Sequence, residues 1–178
     1  MSRFVKLSSL LVLILLLSAC GFHLRESVAL PPSMQRIHLT VNNGGDLQRN
    51  LARALRNSGI TIEDDSGPGV AELVVPVARF STQTLSISGG ARITEYSVQY
   101  QVKFSVVDAT GKVLLPEQTV QMSRDYSYDA TNTIGNDAQV EEIQRSLIDD
   151  MVQSILFRLQ AAARHADAAA AAGAAGTP

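Results

Sequence analysis

Residues 95–106, which read EYSVQYQVKFSV, decide the fold of this chain. Apolar and polar side chains alternate through the whole stretch, so that Tyr96, Val98 and Tyr100 share one face with the apolar residues that follow. Successive side chains of a strand point to opposite sides of a sheet, so the pattern predicts a long strand with one buried and one solvent-facing side. The buried side requires a covering layer from elsewhere in the chain.

Turn sequences flank this strand on both sides. SGGA at 88–91 predicts a hairpin with a strand over residues 70–87, and DATG at 108–111 predicts a second hairpin with residues 112–128. Pro76 has no backbone N–H, so we expect it at a sheet edge or a bulge. The middle of the chain is therefore a meander of long strands.

Helical repeats lie on either side of the meander. Leucines at 47, 51 and 55 recur every four residues, and Asp46 can cap the helix that they predict. Short strands are predicted before and after this helix, over residues 37–41 and 60–62. A longer apolar stripe ends at Leu159.

The second helix is predicted to begin where Asn136 and Gln139 resemble a capping pair. The element order β–α–β–β–β–β–α predicts an α+β domain over residues 34–160. Its two helices pack on one face of a mainly antiparallel, roughly four-stranded sheet. Residues 161–178 are rich in Ala and Gly and are predicted to form a disordered tail.

Composition excludes several classes of protein. A chain of 178 residues with 46% apolar residues has the size and content of one globular domain with a core. Its single cysteine excludes an intramolecular disulfide and a multi-cysteine zinc or iron–sulfur site. A formal net charge of −2 lacks the basic excess that binding to double-stranded nucleic acid requires, so we predict no nucleic-acid partner.

The N-terminus has the pattern of a lipoprotein signal peptide. Arg3 and Lys6 precede an apolar stretch, which predicts a secretory signal over residues 1–19. LSAC at 17–20 resembles the bacterial lipobox, whose cysteine is acylated and becomes the new N-terminus. We predict that acyl chains on Cys20 anchor the protein in a membrane. The alternative is an unmodified buried thiol beside an ordinary cleavage site.

Residues 20–33 are predicted to form a lipidated leader that joins the anchor to the domain. Gly21, and not Asp, follows the cysteine. By resemblance to lipoprotein sorting rules, this favours the outer membrane, with the protein facing the periplasm.

The chain carries no motif for catalysis, a cofactor or a metal. Its histidines are spread over the leader, an early strand and the boundary of the tail: His23, His38 and His165. Nucleophile-elbow, Walker and dinucleotide-binding patterns are all missing from the sequence. We predict a protein that is not an enzyme and needs no cofactor. A lipid-anchored periplasmic hydrolase with scattered catalytic residues is the competing class, and the placement of the histidines disfavours it.

Three short motifs resemble those of the LptE family, whose members are lipopolysaccharide-assembly lipoproteins. They are the opening Cys20-Gly21-Phe22-His23-Leu24-Arg25, the strand start Thr94-Glu95-Tyr96, and the segment Arg124-Asp125-Tyr126-Ser127-Tyr128-Asp129 before the last helix. The resemblance spans about residues 20–159. It implies a lipoprotein that plugs the outer-membrane β-barrel LptD, supports assembly of that barrel and assists lipopolysaccharide transport to the cell surface.

The resemblance also implies that basic residues near one end of the sheet bind lipopolysaccharide. Arg92, beside the Gly89-Gly90 hairpin tip, is the first candidate, and further candidates are Arg79, Lys103 and Arg124. A phosphorylated glycolipid requires such cations beside an apolar surface. The family's basic position ahead of the tip glycine is displaced to Arg92 here, and its basic residue before the last helix is Asn136. The alternative for each arginine is a solvated position at a strand end or a surface ion pair of little energetic value.

The polar side of the main strand predicts a surface for the barrel lumen, which is itself polar. Its candidate residues are Glu95, Gln99, Gln101 and Lys103. The competing function for a lipoprotein with this anchor is that of a subunit in another barrel-assembly or lipid-trafficking machine.

We expect that a chain ending at Arg164 keeps the folded domain and its function, because the residues removed include no large apolar side chain. Cooperative thermal unfolding followed by circular dichroism measures this. Loss of the folded domain on truncation would contradict the expectation.

Overall fold

A computed structural model describes residues 32–43, 45–87 and 93–175 of the chain. Cys20, the remaining signal and leader residues up to Pro31, and the hairpin tip with Arg92 lie outside the described residues. After a single 3-10 turn at Pro32–Met34, the elements are β1 (Arg36–Val41), α1 (Gly45–Asn57), β2 (Thr61–Glu63), β3 (Ala71–Ile87), β4 (Ile93–Val107), β5 (Val113–Ser127) and α2 (Thr133–Ala175).

The strands form one five-stranded sheet in the order β2-β1-β3-β4-β5. β1 is parallel to both β2 and β3, whereas β3, β4 and β5 are antiparallel neighbours. The predicted α+β class is confirmed. The sheet has five strands, as in the predicted element order, and not roughly four, and it is mixed. The parallel pairs arise because α1 carries the chain back across the sheet, so that β2 runs in the same direction as β1.

Pro76 lies at a bulge, as its missing N–H predicts. The pairing of β3 with β4 shifts register between Val74 and Val77. On the other side of β3, the register with β1 ends at Val75, whose carbonyl accepts the N–H of Asn42 at 2.9 Å. Beyond Pro76, β3 is therefore an edge of the sheet within the described strands.

Both helices cover the same face of the sheet, as predicted. The three leucines of α1 are buried, as are Leu147, Met151, Ile155 and Leu159 of α2 and their partners in the sheet, whereas Val140 and Ile143 at the start of α2 are partly buried. The largest fully buried side chains include Phe104, Ile37, Leu47, Leu51, Leu55, Leu73, Leu147, Met151, Ile155 and Leu159. The polar positions of β4 alternate with buried ones and point to the second face of the sheet, which neither of the two described helices covers.

The start of α2 differs from the prediction. The helix begins at Thr133, and the side-chain oxygen of Asn132 accepts the N–H of Gly135 at 3.0 Å, which makes Asn132 the cap. Asn136 is buried and ties the preceding loop to the helix. Its Nδ2 donates to the carbonyl of Asp129 at 2.7 Å, and its Oδ1 accepts the Asp129 N–H at 3.2 Å. The predicted capping pair at Asn136 and Gln139 is therefore wrong.

The end of α2 also differs. The predicted disordered tail over residues 161–178 is wrong for residues 161–175, which continue the helix. Ala163 is 1% exposed and belongs to the core. Alanine has the highest helix propensity, and a helix that tertiary packing has already nucleated extends at little cost.

The turn between β4 and β5 is held by one carboxylate. Asp108 Oδ1 accepts hydrogen bonds from the N–H and the hydroxyl of Thr110, at 2.8 and 2.6 Å, and from the N–H of Lys112 at 3.0 Å. These hydrogen bonds, first that of the Thr110 hydroxyl, lower the pKa of Asp108. The chain enters the domain beside this turn, because the Ser33 carbonyl accepts the N–H of Ala109 at 3.2 Å.

We expect Asp108→Asn to lower the free energy of unfolding near neutral pH, because a neutral amide accepts weaker hydrogen bonds than a carboxylate. Since folding lowers the pKa of Asp108, its contribution is complete above the unfolded-state pKa and is lost as pH falls through the folded-state pKa. The gap between the two proteins should therefore be constant near neutral pH and close as pH falls from the unfolded-state pKa through the lower folded-state pKa. Urea unfolding across this range measures it, and a gap that stays constant would contradict the assignment.

Candidate interaction surface on the open face of the sheet

The face of the sheet that neither α1 nor α2 covers carries a band of polar side chains across its three long strands. We call this band the open face and define it by Arg79, Ser81 and Gln83 of β3, Gln99, Gln101 and Lys103 of β4, and Gln121 of β5. Most of these residues line a shallow depression of about 450 Å³. The two-residue period of each strand places them together.

Three glutamines form a ladder of hydrogen bonds across the open face. Gln121 Nε2 donates to Gln99 Oε1 at 3.0 Å, and Gln99 Nε2 donates to Gln83 Oε1 at 2.8 Å. Each amide has two donor hydrogens and an oxygen with two lone pairs, so every member keeps further capacity for hydrogen bonds. The ladder fixes the side chains in an arrangement that presents donors and acceptors outward.

Two of the candidate basic residues lie on the open face. Arg79 donates twice to Gln101 Oε1, at 3.0 Å from Nε and 2.7 Å from Nη2. Lys103 Nζ lies 3.1 Å from Glu117 Oε1. Arg79 is paired in register with Gln101, and Val77 with Lys103, so the two cations are on neighbouring strands two residues apart in register.

Arg124 is on the other side of the sheet. It pairs in register with the buried Val98, and its Nη2 lies 2.8 Å from Oδ2 of Asp150 on α2. Arg79 and Lys103 therefore do not share a surface with Arg124. Arg92, the first candidate, falls outside the described residues. Binding of lipopolysaccharide by any of the four stays a prediction.

Sequence reasoning identified the β4 residues of the open face but missed Gln83 and Gln121. The alternation of β5 contains the signal for Gln121, because Val120 and Met122 on either side belong to the apolar face. Gln83 was harder to assign, because the bulge at Pro76 shifts the register of β3. Cross-strand pairs between amides follow from the register and not from local pattern.

Tyrosines gather on the helix side of the sheet. Tyr100 and Phe104 are buried, as predicted, and burial raises the pKa of Tyr100 to about 12. Tyr96 is half-buried, and its ring centroid lies 5.6 Å from that of Tyr126 and 5.4 Å from that of Tyr128. Burial also raises the pKa of Tyr126. These rings are packing elements.

The histidine of β1 has a structural role. His38 Nδ1 lies 3.1 Å from the carbonyl oxygen of Glu63 on β2, and its Nε2 lies 3.1 Å from the Thr40 hydroxyl. The described part of the chain contains no group of three or more His, Cys, Asp or Glu residues that could hold a metal ion. Within the same residues, no helix is long and apolar enough to cross a membrane.

The model of the family LptE, described as lipopolysaccharide-assembly, matches residues 31–159. This chain belongs to the LptE family. Among curated proteins it is similar to LPS-assembly lipoprotein LptE of Photorhabdus laumondii, with 27% identity over 146 residues that cover 78% of this chain and 80% of the relative. A second relative of that name, from Yersinia enterocolitica, is 27% identical over 82% of this chain and 70% of its own length.

Solved structures agree with the fold. The solution structure of lipoprotein B from Nitrosomonas europaea has a TM-score of 0.67 at 23% identity and covers 79% of this chain and 91% of its own. The crystal structure of rare lipoprotein B from Shewanella oneidensis has a TM-score of 0.66 at 19% identity, over 74% and 98% of the two chains. At identities below 25%, the likeness to these two structures supports the fold of this chain and not its function.

We expect the Arg124–Asp150 pair to contribute little to stability, because its side chains are 49% and 50% exposed. A double-mutant cycle with Arg124→Met and Asp150→Asn should give a coupling energy of roughly 0.2–1 kcal/mol. The contacts of Arg145 with Glu141 and Glu142 on the same helix supply a matched reference cycle. A coupling energy of several kcal/mol would contradict the expectation that this pair contributes little to the stability of the domain.

Proposed function

We propose that this LptE-family chain is an outer-membrane lipoprotein, anchored through acyl chains on Cys20, that takes part in lipopolysaccharide assembly. Its support is the family match, the lipobox at 17–20 and the printed name of its relatives. The finer role is that of a plug inside the β-barrel LptD, where it supports the assembly of the barrel and assists transport of lipopolysaccharide to the cell surface. It acts by binding and not by catalysis.

The glutamine ladder is the observation that carries the plug role. A plug inside a barrel has to present polar groups to a polar lumen, and the open face does so over three strands. Amides suit this surface, because each one both donates and accepts and none brings the desolvation cost of a full charge. Both helices pack against the opposite face of the sheet and leave this one exposed.

The basic residues are proposed to bind lipopolysaccharide through its phosphate groups. Arg79 and Lys103 occupy one surface, and neither is fully buried, so a phosphate could reach both. A guanidinium recognises a phosphate through paired hydrogen bonds, and an ammonium adds a point charge. Arg92 and Arg124 complete the proposed set, although Arg124 would act from the other face of the sheet.

The test is purification of the tagged lipoprotein from membranes in a mild detergent, with mass spectrometry of the N-terminal peptide and of the recovered partners. We expect a triacylated Cys20 and stoichiometric recovery of a large outer-membrane barrel. Recovery of the lipoprotein alone, or with the subunits of another assembly machine, would overturn the plug role.

Variants make the test specific to the open face. The double variant Gln99→Ala/Gln121→Ala removes the ladder and should lower barrel recovery by about tenfold, the effect of losing a few interface hydrogen bonds. Gln139→Ala/Gln144→Ala removes two amides from α2 and should leave recovery unchanged. Equal recovery from both double variants would contradict a role for the open face in binding the barrel.

A further inference from the structure

An apolar groove lies on the helix side of the molecule, away from the open face. It has a volume of about 430 Å³ and runs between the first residues of β5 and the last third of α2. Val113, Leu115 and Ala162 are among the residues that form its apolar wall, and Val113 is 58% exposed. The volume falls in the range of small-molecule sites, roughly 300–1,000 Å³.

The rim of the groove is basic. Lys112 and Arg158 line it together with the imidazole of His165. Arg158 donates to the amide oxygen of Gln118 at 3.1 Å, and neither cation forms an ion pair with an acid within the described part of the chain. Lys112 interacts electrostatically with Asp108 and helps to lower the pKa of that carboxyl, whose Oδ1 accepts from the N–H groups of its own turn and the Thr110 hydroxyl.

The position of the groove brings it close to the point where the chain enters the domain. Ser33 contacts Ala109 in the β4–β5 turn, and Lys112 at the end of the same turn lines the groove. A membrane anchor on the residues before Pro32 would therefore be joined to the domain at this end.

We propose that this groove receives one acyl chain of an anionic phospholipid, whose phosphate is bound by Lys112 and Arg158. The apolar wall supplies a surface for the chain, and the two cations supply charge complementarity at its mouth. A groove of about 430 Å³ has room for one acyl chain, so any further chain of the lipid would lie outside it. The site is separate from the open face, so it does not depend on the plug role.

Photo-crosslinking of the full lipoprotein tests the proposal. Benzoylphenylalanine replaces Ala162 on the groove wall or, as the control on the same helix, the exposed Gln139. The protein is irradiated in detergent micelles doped with phosphatidylglycerol, and the products are identified by mass spectrometry. We expect a phosphatidylglycerol adduct at position 162, a much lower yield at position 139, and a lower yield when phosphatidylcholine replaces phosphatidylglycerol.

Charge variants separate recognition of the phosphate from simple apolar contact. Lys112→Glu/Arg158→Glu should lower the adduct yield at position 162 by about tenfold, whereas the charge-conserving Lys112→Arg/Arg158→Lys should retain most of it. Thermal unfolding of both variants checks that they fold. If the charge reversal unfolds the domain, the adduct yields of the unmodified groove with phosphatidylglycerol and with phosphatidylcholine decide whether the phosphate charge is recognised.

Four results would overturn the proposal. They are equal adduct yields at positions 162 and 139, equal yields with the two phospholipids, preferential crosslinking to lipopolysaccharide added at the same concentration, and an intramolecular crosslink to residues 21–31. The last two would assign the groove to a glycolipid and to the chain's own leader, respectively.

Discussion

The alternation of side chains along β4 is the constraint on which the rest of the structure depends. Every second residue from Val98 to Val106 is buried beneath the helices, and the four residues between them are polar and more exposed. A shift of register by one residue would exchange the two sets and place lysine and glutamine in the core. β4 is also the central strand of the long hairpins, so its register sets those of β3 and β5.

The bulge at Pro76 lets one strand serve two partners. Before it, β3 pairs with both β1 and β4; after it, β3 pairs with β4 and forms an edge of the described sheet. The segment of β3 before the bulge therefore lies between β1 and β4, and the segment after it belongs only to the antiparallel meander of β3, β4 and β5. The proline marks this boundary because it has no backbone N–H to donate to a neighbouring strand.

Local pattern was sufficient to predict the helices, the strands and the buried faces, because each of these depends on periodicity within one element. It was not sufficient for features that depend on contacts between elements. Asn136 is of a residue type that often caps helices, but its side-chain amide donates to the backbone carbonyl of Asp129. The residue that caps α2 is Asn132. Arg124 and Arg79 look alike in the sequence, and only the register shows that they lie on opposite faces. The helix beyond residue 160 was missed because alanine can pack in a core through its methyl group alone.

The chain enters the domain beside the β4–β5 turn, whereas the start of β4 lies at the opposite end of the sheet. At ~3.3 Å per residue, the 15 residues of β4 separate these two ends by about 50 Å. This distance exceeds the ~30 Å thickness of the hydrocarbon core of a bilayer. The long strands therefore set the distance between these two ends, so that a group at the start of β4 lies about 50 Å from the point where the chain enters the domain, whatever conformation the leader adopts.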